Sequence, residues 1–167
     1  MQPDLLWGKC RGSGETNKRH VLTDSVRGIN SQLASNTDAV ETTYTNSFTA
    51  FGSNGFSVGD DNGVNENSNT FVAWCWKAGT AFTNDASATG IGSIDSSGSV
   101  NETAGFSIVS YTGSGSAATV KHGLSTTPNM MIIKNRVTAS KDWQVYSPVN
   151  DPTDALALNQ TDATGDS

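Results

Sequence analysis

The chain has 167 residues, enough for one sizeable hydrophobic core or two small ones. Charged residues make up only 16% and hydrophobic ones 35%, Gly occurs 17 times, and Ser, Thr and Asn dominate the rest, a mix that favours short strands and turns over long helices. The formal charge of −6 repels phosphate backbones, and no apolar run reaches the ~18 residues of a spanning helix, so neither nucleic acid nor a membrane is an expected partner. Met1 to Trp7 lacks a basic stretch followed by an apolar core, so no signal peptide is expected there.

In chain order, Leu5 to Lys9 is a predicted strand opened by Pro3, and Gly12 to Lys18 a polar turn. His20 to Asp24 is a second short strand, and Val26 to Ser35 a surface connection with one apolar contact at Leu33. Ser47 to Phe51 alternates, with Phe48 and Ala50 on one face; Ser53-Asn54-Gly55 is a tight turn, and Phe56 to Val58 the returning strand. Asp60 to Asn69 reads as a loop. Thr70 to Lys77 is the longest apolar run and holds two of the four Trp. Val72, Trp74 and Trp76 share one face of it, and Phe71, Ala73 and Cys75 the other. A strand apolar on both faces is expected at the centre of a covered sheet, or in a sandwich core with an interface behind it.

Gly79 to Ala104 is Gly, Ser, Thr, Ala and Asn with two isolated Ile, and reads as a linker or surface arm. Gly105 to Gly113 is a strand with Phe106, Ile108 and Ser110 on one face. Further strands are expected at Ala118 to His122, at Met130 to Asn135 (buried, opened by Pro128), at Trp143 to Tyr146 and at Ala155 to Asn159, with Thr161 to Ser167 loose. The expected core is Phe71, Val72, Trp74, Trp76, Phe106, Ile108 and Ile132. The fold class is all-β, an antiparallel sandwich of jelly-roll or concanavalin-like character. Residues 1–78 and 105–167 are partial sandwich units, and 79–104 joins them.

Those two units contain a repeat. Pro3-Asp4-Leu5-Leu6-Trp7-Gly8-Lys9-Cys10-Arg11 aligns with Pro128-Asn129-Met130-Met131-Ile132-Ile133-Lys134-Asn135-Arg136 at an offset of 125 positions, 128 minus 3. His20-Val21-Leu22 then meets Trp143-Gln144-Val145 at an offset two shorter, and Thr37-Asp38-Ala39 recurs as Thr161-Asp162-Ala163. Self-similarity at a fixed offset marks a repeated structural unit. Each copy lacks strands that the other has, and bare strand edges are normally covered. The two partial units are therefore expected to complete one another, interleaved within the chain or head-to-tail between chains.

Few residues suggest chemistry. Lys9, Arg11, Lys134 and Arg136 read as basic strand ends paired with acidic loops, or as a carboxylate or sugar site. Asp60, Asp61 and Asn65 form the densest oxygen cluster, a candidate cation site or ordinary turn chemistry. Trp7, Trp74, Trp76, Trp143, Tyr111 and Tyr146 are candidates for stacking on a sugar ring, Trp7, Trp143 and Tyr146 foremost, although aromatic residues on strands serve more often as core or interface. His20 and His122 lack a nucleophile elbow, and Cys10 and Cys75 read as buried hydrophobes or a disulfide. No catalytic residue and no cofactor is expected.

The ordered set of motifs resembles a β-sandwich repeat of tail-fibre-like and other virion structural proteins of marine and cyanobacterial phages. The matching residues are Pro3-Asp4-Leu5-Leu6-Trp7 with Lys9 and Arg11, His20-Val21-Leu22 to Asp24 with Arg27-Gly28, and Leu33 to Ser35. They continue through Phe51-x-Ser53-x-Gly55-Phe56-Ser57-x-Gly59, Asn65, Phe71-Val72-Ala73-Trp74 and Gly105 to Gly113. His122-Gly123-Leu124, Pro128, Lys134-Asn135-Arg136 and Trp143-x-Val145-Tyr146 complete the set. The family's unit runs from a Gly-Phe-Ser-Ile strand to a Phe-Val-Ala-Trp strand, so this chain begins and ends within a unit. The resemblance implies a lectin-like sandwich and a non-enzymatic virion protein, a tail-fibre or appendage component. Such a protein would assemble in the host cytoplasm as a homo-oligomer, a trimer or a filament, and contact other virion proteins and host surface glycans. A capsid-decorating protein and a carbohydrate-binding module are the alternatives.

Overall fold

The computed structural model describes the chain except for residues 13–17, 150–153 and 167. The fold is an all-β antiparallel sandwich. It opens with a meander of β1 (Leu5–Cys10), β2 (His20–Asp24), β3 (Gly28–Ala34) and β4 (Thr42–Thr43). A hairpin follows, β5 (Phe48–Gly52) and β6 (Gly55–Val58), and then one helical turn, α1 (Asn62–Asn65). Strand β7 (Phe71–Trp76) returns to the first sheet and lies against β1, giving the order β4-β3-β2-β1-β7.

Side-chain alternation in β1 decides how this sheet is covered. Leu6, Gly8 and Cys10 are buried on one face, where Leu6 packs with Val21, Phe48 and Val64, flanked by Ile29 and Phe51. The β5–β6 hairpin and α1 thus form one outer layer. A Cβ on Gly8 would lie 2.7 Å from Phe48 Cζ, so only glycine lets the ring approach this closely. Trp7, on the opposite face, packs against a second cluster of Leu22, Leu33 and Trp143.

Residues 79–104, expected as a linker, instead fold into β8 (Thr80–Asn84), a short turn α2 (Ala86–Thr89) and β9 (Ser96–Asn101). With β10 (Phe106–Tyr111) they make a sheet in the order β10-β9-β8. Strand β9 is Ser-Ser-Gly-Ser-Val-Asn and shows no apolar alternation; its backbone bonds to strands on both sides, and Gly98 leaves room for the Phe82 ring. The Val26 to Ser35 connection is likewise a strand, β3, whose Gly28 adopts a φ of +97° at the turn. Ala118 to His122 forms no strand; Thr119 bonds through its backbone to Ser93 and Ile94.

The chain closes with a second meander, β11 (Met131–Ile133), β12 (Gln144–Tyr146), β13 (Asp154–Ala157) and β14 (Gly165–Asp166). Among the described residues no helix is long and apolar enough to cross a membrane.

The expected core is corrected. β7 sits at an edge of its sheet rather than at the centre, with a strand on one side only among the described residues. Phe71, Val72 and Trp76 are half-buried, and Trp74 is 46% exposed. Phe106 and Ile108 are half-buried, and Ile132 is 41% exposed on the three-residue strand β11. Among the described residues the buried hydrophobic side chains are Leu6, Cys10, Val21, Leu22, Leu33, Phe48, Val64, Ala78, Ala86 and Trp143. Runs of apolar residues mark β7 and β11 as strands, but burial followed the layers that cover β1 and β2.

Gly8→Ala should cost about 1–3 kcal/mol through overpacking against Phe48. Gly55→Ala, with open space around it, should stay within about 0.5 kcal/mol of the parent. Urea unfolding of the two variants measures the difference.

Candidate assembly surface

The two meanders match in register as well as in sequence. In β1–β2, Leu6 opposes Thr23, Trp7 opposes Leu22 and Gly8 opposes Val21. In β11–β12, Met131 opposes Tyr146, Ile132 opposes Val145 and Ile133 opposes Gln144. These are the same pairs, moved by 125 positions on the first strand and 123 on the second (131 minus 6, 146 minus 23). The Val21–Ala34 and Leu22–Leu33 pairs recur as Gln144–Ala157 and Val145–Leu156. Ser31–Thr43 and Gln32–Thr42 recur as Asp154–Asp166 and Ala155–Gly165.

The turn chemistry repeats too. The His20 N–H donates to Asn36 Oδ1 at 2.8 Å, and the Trp143 N–H donates to Asn159 Oδ1 at 2.9 Å. The Thr37 N–H donates to the Ala34 carbonyl, and the Gln160 N–H to the Ala157 carbonyl, so Thr37 corresponds to Gln160. The Thr-Asp-Ala match at Thr161 is therefore one residue out of structural step. An Asn that closes the β-turn two residues past each third strand is the signal that sequence reading missed.

One difference separates the copies. The outer edge of β1 is occupied by β7, with Leu6 opposite Cys75, Trp7 opposite Trp74 and Gly8 opposite Ala73. Asp4 latches that strand: its N–H donates to the Trp76 carbonyl at 2.7 Å, and its Oδ2 accepts from the Ala78 and Gly79 N–H groups at 3.0 and 2.9 Å. β11 ends its sheet with no strand on that edge among the described residues. Met130, Met131, Ile132 and Ile133 are all exposed there, Met130 most of all at 61%. On β7, Ala73, Trp74 and Cys75 are exposed. Trp7 lies beside Trp74 and Trp76, with ring centroids at 5.9 and 6.4 Å, and Trp76 stacks on Phe106 at 6.3 Å. β7 and β11 are thus outer strands of two sheets, each with exposed apolar side chains and, among the described residues, no partner on its outer edge.

The other predicted sites do not assemble. Asp61 caps α1 by accepting from the Gly63 N–H and pairs with Arg19 at 3.0 Å. Asp60 accepts from Asn46, and the Asn65 amide donates to the Gly59 carbonyl. The three are spent on local hydrogen bonds, and among the described residues no group of three or more His, Cys, Asp or Glu is placed to hold a metal. Trp143 is 4% exposed, and its Nε1–H donates to the Ala34 and Thr37 carbonyls at 3.0 and 3.1 Å, so it is core and cannot stack on a sugar. Tyr146 is half-buried on β12. Trp7 borders a shallow cleft of about 180 Å³ with His20, Asn36 and Asn159. Cys10 is buried, Cys75 is exposed, and both thiols are free.

A polar junction holds the sheets together. Arg27, almost fully buried, donates to Asp24 and to Glu41 Oε2, and its Nη2 reaches the Leu22 carbonyl. Arg136, just past β11, donates through Nε and Nη2 to the two Glu41 oxygens at 2.9 and 2.8 Å, and through Nη1 to Ser110 of β10 at 3.0 Å. The Glu41 N–H donates to the Arg136 carbonyl. Arg136 is thus a basic strand end paired with an acidic loop. Lys134 donates to the Asp38 carbonyl at 3.3 Å.

The geometry defines an all-β sandwich module built on a repeated four-strand meander. A family model described as a domain of unknown function, DUF7483, matches residues 1–167, and the chain belongs to that family. No curated protein and no solved structure matches it.

Burial works against the Glu41 carboxylate, but hydrogen bonds from Arg136 and Arg27 and their charges outweigh it and lower its pKa below the ordinary 4.5. A lowered folded pKa adds stability that is present above the unfolded value and is lost as pH falls through the folded one. Glu41→Gln should therefore be less stable than the parent at neutral pH, by on the order of 1–3 kcal/mol for weakened hydrogen bonds from Arg136 and Arg27, since Arg27 keeps its pair with Asp24. The gap should narrow as pH falls below the ordinary 4.5 and through the lowered folded value, which denaturant titrations at a series of acidic pH values will measure.

Proposed function

We propose that this protein is a structural, non-enzymatic subunit of a phage particle, in a tail fibre or similar appendage, that self-assembles by adding strands at open sheet edges. The observation that carries this reading is that β7 and β11 are uncharged outer strands with no partner on one edge among the described residues, flanked by exposed Trp74, Met131 and Ile132. Such edges are templates for main-chain pairing, and monomeric proteins usually blunt them with charge, proline or a covering loop. Ordered resemblance to tail-fibre-like repeats supplies the particle. A Ser-, Thr- and Gly-rich, acidic composition suits an extracellular assembly. Copies of this chain are the first partners, a trimer or filament the expected form, and neighbouring virion proteins the next partners. The burial of Trp143 removes it from any glycan-stacking platform, while Trp74 and Tyr111 remain exposed.

Light scattering coupled to size exclusion should show a mass that rises with concentration, and electron microscopy should show regular oligomers or filaments. Antibody against the chain should label tails rather than capsids on intact particles; labelling of the capsid surface points to a decorating protein. A strictly monomeric species at every concentration contradicts the assembly reading.

A further inference from the structure

We infer that the outer edge of β7 in one copy pairs with the outer edge of β11 in the next, so that β7 lies between its own β1 and a neighbour's β11. The inference rests on the assembly reading above and specifies its interface. Three observations carry it.

The first is the repeat. β11 is the register equivalent of β1, and in the first meander that edge is covered by β7 itself. The molecule thereby shows what kind of strand a β1-type edge accepts: extended, uncharged and aromatic at alternate positions.

The second is backbone parity. The Arg11 N–H donates to the Thr70 carbonyl, while the Ser25 N–H donates to the Asp4 carbonyl. Odd residues of β1 therefore point their backbone groups at β7, and even residues at β2. Transferred by 125 positions, Ile132 stands for Trp7 and directs its backbone groups outward, while Met131 and Ile133 face β12. On β7 the even residues face β1, so Phe71, Ala73 and Cys75 turn their backbone groups to the free edge.

The third is the contrast with the opposite ends of the same two sheets. β4 and β14, at the far ends of the same two sheets, are two residues each, too short to template a partner. β7 and β11 carry no charge and no proline along their length. Because the two open edges differ, pairing like with like would leave one of them bare. A β7-to-β11 contact fills both at once and is heterologous, which generates a ring or a filament.

The test uses two edge-blocking variants of the whole chain. Ala73→Pro removes an outward donor from β7, and Ile132→Pro removes one from β11; each spares the ladder on the strand's other side. Lysine at the same positions (Ala73→Lys, Ile132→Lys) is a gentler block should proline unfold the chain, with circular dichroism as the fold control. Each variant alone should associate at least tenfold more weakly than the parent. Mixed in equal amounts, Ala73→Pro and Ile132→Pro should form a 1:1 dimer and stop there, because each supplies the edge the other lacks. If one variant retains parental association while the other loses it, a like-with-like contact is operating and the inference is overturned. If both retain it, the contact lies elsewhere, and the inference fails while the assembly reading stands. A parent chain that never associates fails the assembly reading itself.

Discussion

Strand β1 is the constraint on which the molecule depends. Both of its backbone edges are used, even residues toward β2 and odd residues toward β7. Both of its side-chain faces are used as well, one against Phe48 and the other, through Trp7, against the Trp143 cluster. Four contacts in two perpendicular directions leave it no alternative register, since a slip of one residue would exchange Leu6 and Trp7 between layers. The hairpin, α1, β7 and the second meander all take their positions from it.

The second meander copies this arrangement without completing it. Three successive strand pairs keep the register of the first copy, and even the Asn that closes the end of the third strand is retained. Retaining so much while leaving β11 without a β7 places unsatisfied donors, acceptors and exposed Met and Ile side by side. An edge in that condition gains both hydrogen bonds and apolar burial from a single added strand, which is why assembly is the economical reading of the fold. On the proposed reading, function lies in the sheet edges rather than in a pocket.

The junction at Glu41 has a different task. Arg27, Arg136 and Ser110 bring together the first meander, the end of β11 and β10 through a single carboxylate. Charge-assisted, directional bonds hold the sheets at defined angles where apolar contacts alone would let them slide. Rigid mutual placement of the sheets keeps the two open edges in a constant relation, a condition for regular repetition between copies.

The sequence by itself determined the class, the repeat and many of the strands. Alternation in Leu5 to Lys9, in Ser47 to Val58 around Asn54-Gly55, and in Phe106 to Tyr111 is a local property, and the matching strands formed as read. The 125-residue offset was legible because Pro, Lys and Arg recur at matched spacing. Strand β9 was not legible, because glycine and serine carry no apolar signal and the strand exists through backbone bonds to neighbours that only the fold supplies. Burial was not legible either. Trp74 and Trp143 are equally apolar in the sequence, yet one lies on an open edge and the other fills the space between Leu22 and Leu33. Hydrophobicity is carried by a residue, whereas burial depends on which layer lands on it. Only the tertiary arrangement decided that Trp143 would be core and that β7 and β11 would be left as edges.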